Sequence, residues 1–158
     1  MISKFQLTGF LKSSIEIILV ILQFSIIILH FIKLEFIPKI DLIKVNYIFS
    51  FAGFLIIIIS SIVMLKAIKD LGRNLSPFPR PIANGKLITS GIYRITRHPM
   101  YYSLILISFG IFIIQLSFYY LCLTTILALV IKLKIIIEEQ HLNNKFKKYF
   151  LYKDKVKY

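Results

Sequence analysis

Three long apolar runs constrain this chain more than any other feature of its sequence. They extend from Ile15 to Phe31, from Val45 to Leu65 and from Tyr101 to Ile137. The second run contains no charged side chain, and the only charged side chains of the third are Lys132 and Lys134, near its end. Because a helix needs about 20 apolar residues to cross the hydrocarbon core of a bilayer, the runs predict an all-α integral membrane protein.

The third run is too long for one span and fits two short spans joined by a tight bend. Gln115 is the only strongly polar residue between Ser103 and Lys132, so we place the bend at Gln115-Leu116-Ser117. The sequence therefore predicts about four transmembrane helices.

Basic residues are distributed unevenly among the segments outside these spans. The chain has 20 Lys and Arg against 7 Asp and Glu, and 58% of its residues are hydrophobic. Four spans place 17 of the basic residues on one side, in residues 1–14, 66–100 and 132–158, and 3 on the other, in residues 32–44. Since basic residues accumulate on the cytoplasmic side, we expect both termini to be cytoplasmic, in the cell membrane if the protein is prokaryotic. In a chain this apolar, the charge indicates the lipid bilayer as partner, and no nucleic acid is expected.

The length is appropriate for one domain, so we expect residues 1–158 to form a single membrane domain. Residues 1–14 are predicted to be a short interfacial helix, and residues 15–65 to contain the first two spans. Residues 66–158 contain the other two spans and the polar motifs described below. No metal site is predicted, because the chain has one cysteine and three dispersed histidines. Cys122 falls in the fourth span, where we expect it to be buried.

The connection between the second and third spans is rich in proline. Ser76-Pro77-Phe78-Pro79-Arg80-Pro81 has proline at every second position, which excludes a helix. Asn84-Gly85 indicates a tight turn. This connection is too specific in sequence to be a mere link between spans.

The same connection ends in Arg94-Ile-Thr-Arg97-His98-Pro99. Proline suits the first position of a helix, so we expect the third span to begin at Pro99, with His98 at its mouth. The free N–H groups of that first turn would favour an anionic ligand group. The alternative is that Arg94, Arg97 and His98 only anchor the helix at lipid headgroups.

Two adjacent carboxylates, Glu138 and Glu139, follow the fourth span. On a projection that continues the helix, they share a face with three apolar residues: Leu142, Phe146 and Tyr149. A carboxylate that faces the protein beside a membrane needs a partner, which makes this pair a candidate site. Lys134, one turn earlier, would make the pair a structural ion pair instead, and both interpretations stay open.

Together these motifs resemble the isoprenylcysteine carboxyl methyltransferase family, which is related to the phospholipid methyltransferases. The resemblance covers roughly residues 66–156 and rests on four ordered elements: Asn74-x-Ser-Pro-Phe-Pro, Lys86-Leu-Ile-Thr-Ser-Gly-x-Tyr93, Arg97-His-Pro-x-Tyr101 and Glu138-Glu-x-x-Leu142 with Phe146 and Tyr149. It implies that residues 66–158 form a methyltransferase-like core with a cytoplasmic cofactor-binding loop and a C-terminal helix.

The resemblance also implies S-adenosyl-L-methionine as cofactor. Its contacts, carried over residue by residue, would be Lys86, Leu87, Ile88, Tyr93, His98, Pro99, Met100, Tyr101 and Glu138. Lys134 stands where the eukaryotic enzymes have an arginine that is associated with the substrate carboxylate, so Lys134 is the predicted catalytic residue. The implied acceptor is lipophilic: the carboxylate of an isoprenylcysteine-like molecule or a lipid head group.

The chain departs from the family pattern at three places. Ser103 replaces a glycine, Ile92 stands where proline is common, and Tyr149 falls one residue early after Phe146-Lys147. The serine brings into question the close approach to the backbone that a glycine at residue 103 would permit. The early tyrosine brings the geometry of the tail into question.

Two other classes remain as alternatives. One is an NADPH-dependent membrane sterol-type reductase, which shares a His-Pro-x-Tyr element but tends to carry asparagine where this chain has Met100. The other is a non-catalytic membrane protein of the same fold. The sequence identifies neither the methyl acceptor nor the oligomeric state.

Overall fold

Five helices make up most of the protein. The computed structural model describes residues 4–32 and 46–157, with side chains from residues 13–32 and 47–157. The helices are α1 (Lys4–Leu29), α2 (Asn46–Leu71), α3 (Pro99–Gln115), α4 (Phe118–Lys145) and α5 (Tyr149–Lys155). The described residues contain no strand, which confirms the all-α prediction for them. The connection at residues 33–45, which carries the minority of basic charges, lies outside the described residues.

Two of these helices are long and apolar enough to cross a membrane. They are the helical stretches Tyr47–Asn74 and Phe118–Lys145, while Ser13–Leu29 and Pro99–Gln115 are shorter apolar helices. A helix of 17 residues, such as α3, rises about 25 Å, slightly less than a bilayer core. The described residues therefore contain two candidate membrane spans, and the four-span count stays a prediction.

Residues 4–14 belong to the first long helix. Helix α1 runs without a break from Lys4 to Leu29, so these first turns continue into the first apolar run, and their location at the membrane interface stays a prediction. No proline interrupts this part of the chain, and a lone glycine, Gly9, weakens a helix without ending it.

The break between α3 and α4 lies at the predicted residues. Helix α3 ends at Gln115, and Leu116 takes a left-handed conformation with a φ angle of 44°. Ser117 caps α4, its hydroxyl accepting from the Tyr119 N–H at 3.3 Å. The start of α3 is also confirmed: Pro99 is its first residue and His98 its N-cap.

Helix packing brings α2 close to α3 and α1 against α4. A Cβ atom added at Gly53 would lie 2.7 Å from the Gly110 carbonyl oxygen, so small residues let these two backbones meet. Between α1 and α4, Leu19 and Ile26 join a buried cluster with residues such as Leu127.

The prediction for Cys122 is wrong, because this side chain is exposed. The buried residues of α4 recur at intervals of one helical turn: Tyr119, Tyr120, Leu123, Thr124, Leu127, Val130, Ile131 and Lys134. Cys122 lies on the opposite side of the helix from Tyr120, where α4 faces outward.

The helix that carries the two carboxylates is also shorter than the projection assumed. Helix α4 ends at Lys145, Phe146 is its C-cap, and Tyr149 begins the separate helix α5. Helix α5 folds back so that Tyr149 and Tyr152 pack with Leu87 of the loop. The tail thereby closes over the loop between α2 and α3.

Candidate functional site

A cavity of about 520 Å³ lies where the proline-rich loop meets the ends of α3 and α4. Its polar lining residues include Tyr93, Arg97, His98, Tyr101, Glu138 and Tyr149. Its apolar lining residues include Phe24, Ile27, Met64 and Leu104 from α1, α2 and α3. One cavity therefore joins a set of polar groups at the loop to an apolar region deeper among the helices.

Nine of the ten predicted site residues line this cavity: Lys86, Leu87, Ile88, Tyr93, His98, Met100, Tyr101, Lys134 and Glu138. Pro99 does not line it and is instead buried as the first residue of α3. A proline ring at this position fixes the helix start, so Pro99 places its neighbours and does not itself reach the cavity.

Glu138 presents its carboxylate to the cavity. Its Oε2 accepts a hydrogen bond of 2.7 Å from the Tyr101 hydroxyl, and the Tyr101 ring stacks on His98 at a centroid distance of 5.8 Å. Among the described residues, no ion pair joins Glu138 to Lys134. The structural pairing that the sequence left open is therefore not formed.

Glu139 has a different set of partners, although it is the adjacent residue. Its carboxylate contacts Arg97 Nη1 at 3.1 Å, His98 Nε2 at 3.3 Å and Lys153 Nζ at 2.6 Å. Glu139 does not line the cavity. Through these contacts Glu139 connects α4 to the start of α3 and to helix α5. Glu138 is therefore the carboxylate of the pair that a ligand in the cavity can contact.

Lys134 is a buried cation with neutral partners. Its ammonium donates to Gln23 Oε1 on α1 and, at 3.0 Å, to the Pro77 carbonyl oxygen in the loop. It also lies 5.4 Å from the centroid of the Tyr101 ring. The residue is only 1% exposed and lines the cavity, and no carboxylate of the described residues lies within ion-pair distance of its ammonium.

Gln23 is a site residue that the sequence analysis missed. It lines the cavity and accepts from Lys134. The signal was available, because a polar side chain within an apolar helix tends to face a partner inside the protein.

A second missed residue, Glu16, fastens the loop to α1. Glu16 is 2% exposed, forms an ion pair with Arg80 and accepts from His141 Nε2 at 2.8 Å. From α4, Lys145 donates to the carbonyl oxygens of Ile82 and Ala83. The loop is thus held at the cavity from two helices.

Side chains at the end of α2 hold the rest of the loop. Asn74 Oδ1 accepts from the Lys86 N–H at 2.9 Å, and Asp70 Oδ2 accepts from the Ile92 N–H at 2.7 Å. The predicted turn at Asn84-Gly85 is confirmed by a bond of 2.8 Å from the Gly85 N–H to the Ile82 oxygen. This bond explains why residue 92 is not a proline here, because a proline has no N–H to donate to the Asp70 carboxylate.

The other two departures from the family pattern leave the cavity intact. Ser103 is buried and lies outside the cavity lining. Tyr149, despite its early position, lines the cavity and is 1% exposed.

Besides Tyr101, three tyrosines supply neutral phenols to the cavity. Burial raises the pKa of Tyr93 and of Tyr149 above the ordinary value, and raises the pKa of Tyr152 to about 12. The Tyr152 hydroxyl donates to the Tyr93 carbonyl oxygen, whereas the buried Tyr149 hydroxyl has no partner among the described residues. An unpaired buried hydroxyl costs about 1–3 kcal/mol, so Tyr149 is suited to bond a polar ligand.

Gly91 sets the position of Tyr93, and we expect Gly91→Ala to destabilise the protein by about 3 kcal/mol. Gly91 has a φ angle of 60°, and an added Cβ would lie 2.0 Å from Asp70 Oδ2. The carboxylate would have to move and release the Ile92 N–H. Thermal unfolding in detergent measures the effect.

Gly72→Ala is the matched control for Gly91→Ala. Gly72 has a similar φ angle of 51° with nothing within 4 Å of an added Cβ, so it carries backbone strain of about 1 kcal/mol without the collision. Equal losses of stability in the two variants would contradict the proposed collision with Asp70.

The described residues form a helical fold that has two candidate membrane spans and a cavity with polar groups at the loop between α2 and α3. The family model for phospholipid methyltransferases matches residues 48–149, and the chain belongs to this family. No curated protein matches the chain, and no solved structure matches it. Helix α1, with Glu16 and Gln23, lies before the matched residues.

Proposed function

We propose that this protein is an S-adenosyl-L-methionine-dependent methyltransferase that methylates a lipophilic acceptor in the membrane. The observation that carries the proposal is the two-part cavity, with Glu138 and Tyr149 at one end and apolar helix faces at the other. Such a cavity suits a reaction between a polar cofactor and an apolar acceptor.

The polar end fits the cofactor's chemistry. S-adenosylmethionine carries an ammonium group and ribose hydroxyls, and a carboxylate such as Glu138 can accept hydrogen bonds from these groups. It also carries an α-carboxylate, to which the Tyr149 hydroxyl and the free N–H groups of the first turn of α3 can donate. Leu87 and Ile88 provide apolar contact beside them. When bound, the cofactor supplies a methyl group activated by its sulfonium.

Lys134 is the proposed contact for the acceptor's polar head. Its ammonium lines the cavity and donates to two uncharged oxygens, so an anionic head would be attracted to it. A lysine supplies charge without the bidentate geometry of arginine, which favours a head group that needs one strong contact.

Few catalytic groups are required for this reaction. Transfer of a methyl group from a sulfonium to an anion cancels two charges, so an apolar cavity favours it over water, and the main requirement is in-line placement. A lipid amine would also need a base. His98 lines the cavity and its Nε2 lies 3.3 Å from Glu139 Oε1, so His98 is the candidate base for such an acceptor.

The proposal predicts that turnover rises with the length of the acceptor's apolar tail. Apolar residues of α1, α2 and α3 line the cavity, and each methylene buried against them contributes about 0.8 kcal/mol. A tritiated-methyl assay on purified protein, with acceptors of matched head group and increasing tail, measures this. Equal turnover for short and long tails would exclude entry of the acceptor from the bilayer.

We also propose four spans with both termini in the cytoplasm, from the 17-to-3 division of basic residues. Cysteines introduced at the exposed Ala83 and at Lys39, each in a Cys122→Ala background, are expected to label from opposite sides with an impermeant maleimide. The background change is needed because Cys122 is exposed. Labelling of both positions from the same side would remove one span.

A further inference from the structure

A second cavity, of about 600 Å³, lies outside the site described above, between the loop, the end of α4 and helix α5. Five of its lining residues are basic: Arg94, Lys145, Lys147, Lys148 and Lys155. None of its lining residues is acidic. We call this cavity the basic groove.

Most of this charge is not neutralised. Lys145 donates to the carbonyl oxygens of Ile82 and Ala83 and is thereby occupied. Within the described part of the chain, the other four cations take part in no ion pair. Four like charges around one groove repel each other, and an anion placed among them would relieve that repulsion.

Helix α5 indicates where this anion comes from. Phe150 and Leu151 are each 61% exposed, and Leu151 also lines the basic groove. Exposed apolar side chains interspersed with lysines are typical of a helix that lies at the membrane surface. A water-soluble anion would meet the lysines but would leave Phe150 and Leu151 without a partner.

We infer that the basic groove binds the phosphate-bearing head group of an anionic phospholipid. Phosphate oxygens accept hydrogen bonds from Arg94 and the lysines, and the acyl chains of the same lipid contact Phe150 and Leu151. This inference does not depend on the proposed methyl transfer, since the groove would bind the lipid whatever reaction the first cavity supports.

The two cavities share a wall, which connects the groove to the proposed site. Leu87, Phe146 and Tyr152 line both of them. A lipid in the groove therefore packs against the closed arrangement of loop and tail, and holds that arrangement in place.

Native mass spectrometry of the purified full chain tests the inference. The probes are phosphatidylglycerol and phosphatidylcholine with identical acyl chains, and we expect phosphatidylglycerol to bind at least tenfold more tightly. The variant Arg94→Gln/Lys148→Gln/Lys155→Gln is expected to lose at least tenfold in phosphatidylglycerol affinity. These residues are exposed, so the variant should fold, and circular dichroism verifies its helix content.

The control is Lys66→Gln/Lys69→Gln/Arg73→Gln, which removes the same charge from exposed positions outside the groove. Its phosphatidylglycerol affinity is expected to change less than twofold. Equal weakening in the two triple variants, or no preference between the two lipids, would overturn the inference.

Two further measurements distinguish binding of a lipid head group from binding of a free phosphate. Leu151→Ser is expected to weaken phosphatidylglycerol binding severalfold, and glycerol phosphate at millimolar concentration is expected not to displace the lipid. Displacement by glycerol phosphate, or an unchanged lipid affinity in Leu151→Ser, would overturn the assignment to a lipid.

Discussion

Replacing Glu138 by glutamine is expected to weaken S-adenosylmethionine binding by about ten- to a hundredfold while the protein stays folded. The Glu138 carboxylate lines the cavity with one partner, the Tyr101 hydroxyl at 2.7 Å, so its remaining oxygen is available to the cofactor. Loss of a charged hydrogen bond costs about 1.5–3 kcal/mol, which corresponds to that range of affinity. Calorimetry on the detergent-solubilised variant measures the dissociation constant.

Glu139→Gln provides the matched control, because it makes the same chemical change one residue away. Glu139 bonds Arg97, His98 and Lys153 and does not line the cavity. We expect it to lower the unfolding temperature more than Glu138→Gln does, and to lower cofactor affinity less. An unchanged dissociation constant in Glu138→Gln would assign that carboxylate a structural role.

The second large effect is expected at Lys134. Replacement by methionine keeps the length of the side chain and removes the charge, so we expect the acceptor KM to rise about ten- to a hundredfold. Cofactor affinity is expected to change less than threefold, because Glu138 and Tyr149 remain in place. Acceptor KM from the tritiated-methyl assay and cofactor affinity from calorimetry separate the two effects.

Gln23→Leu is the companion variant for Lys134. It keeps the lysine's charge and removes the side-chain oxygen that accepts from it, so the acceptor KM should rise less than in Lys134→Met. If Lys134→Met leaves the acceptor KM unchanged, Lys134 only fastens the loop through the Pro77 carbonyl, and it is not part of the acceptor site.

Local chemistry made several features predictable from the sequence. Pro99 sets the start of α3, and Gln115 and Ser117 mark the break before α4, because these residues act on the backbone beside them. The resemblance to the methyltransferase family implied Glu138 as a cofactor contact, and the cavity is lined by Glu138 and not by Glu139.

Features that depend on contacts distant in sequence were not predictable in the same way. Glu16 meets His141 across 125 positions of the chain, and Gln23 meets Lys134 across 111, so neither partner was visible locally. The projection that joined Phe146 and Tyr149 to the carboxylate helix assumed a continuous helix. The chain instead ends α4 at Lys145 and brings Tyr149 to the cavity from α5.

The central claim is that the polar end of the cavity binds S-adenosylmethionine. A thermal-shift measurement on the purified protein, with S-adenosylmethionine, S-adenosylhomocysteine and NADPH in parallel, tests it most directly. Both S-adenosyl compounds are expected to raise the unfolding temperature, because a ligand that binds only the folded state stabilises it, and NADPH is expected to have no effect. Stabilisation by NADPH, or by none of the three, would contradict the claim.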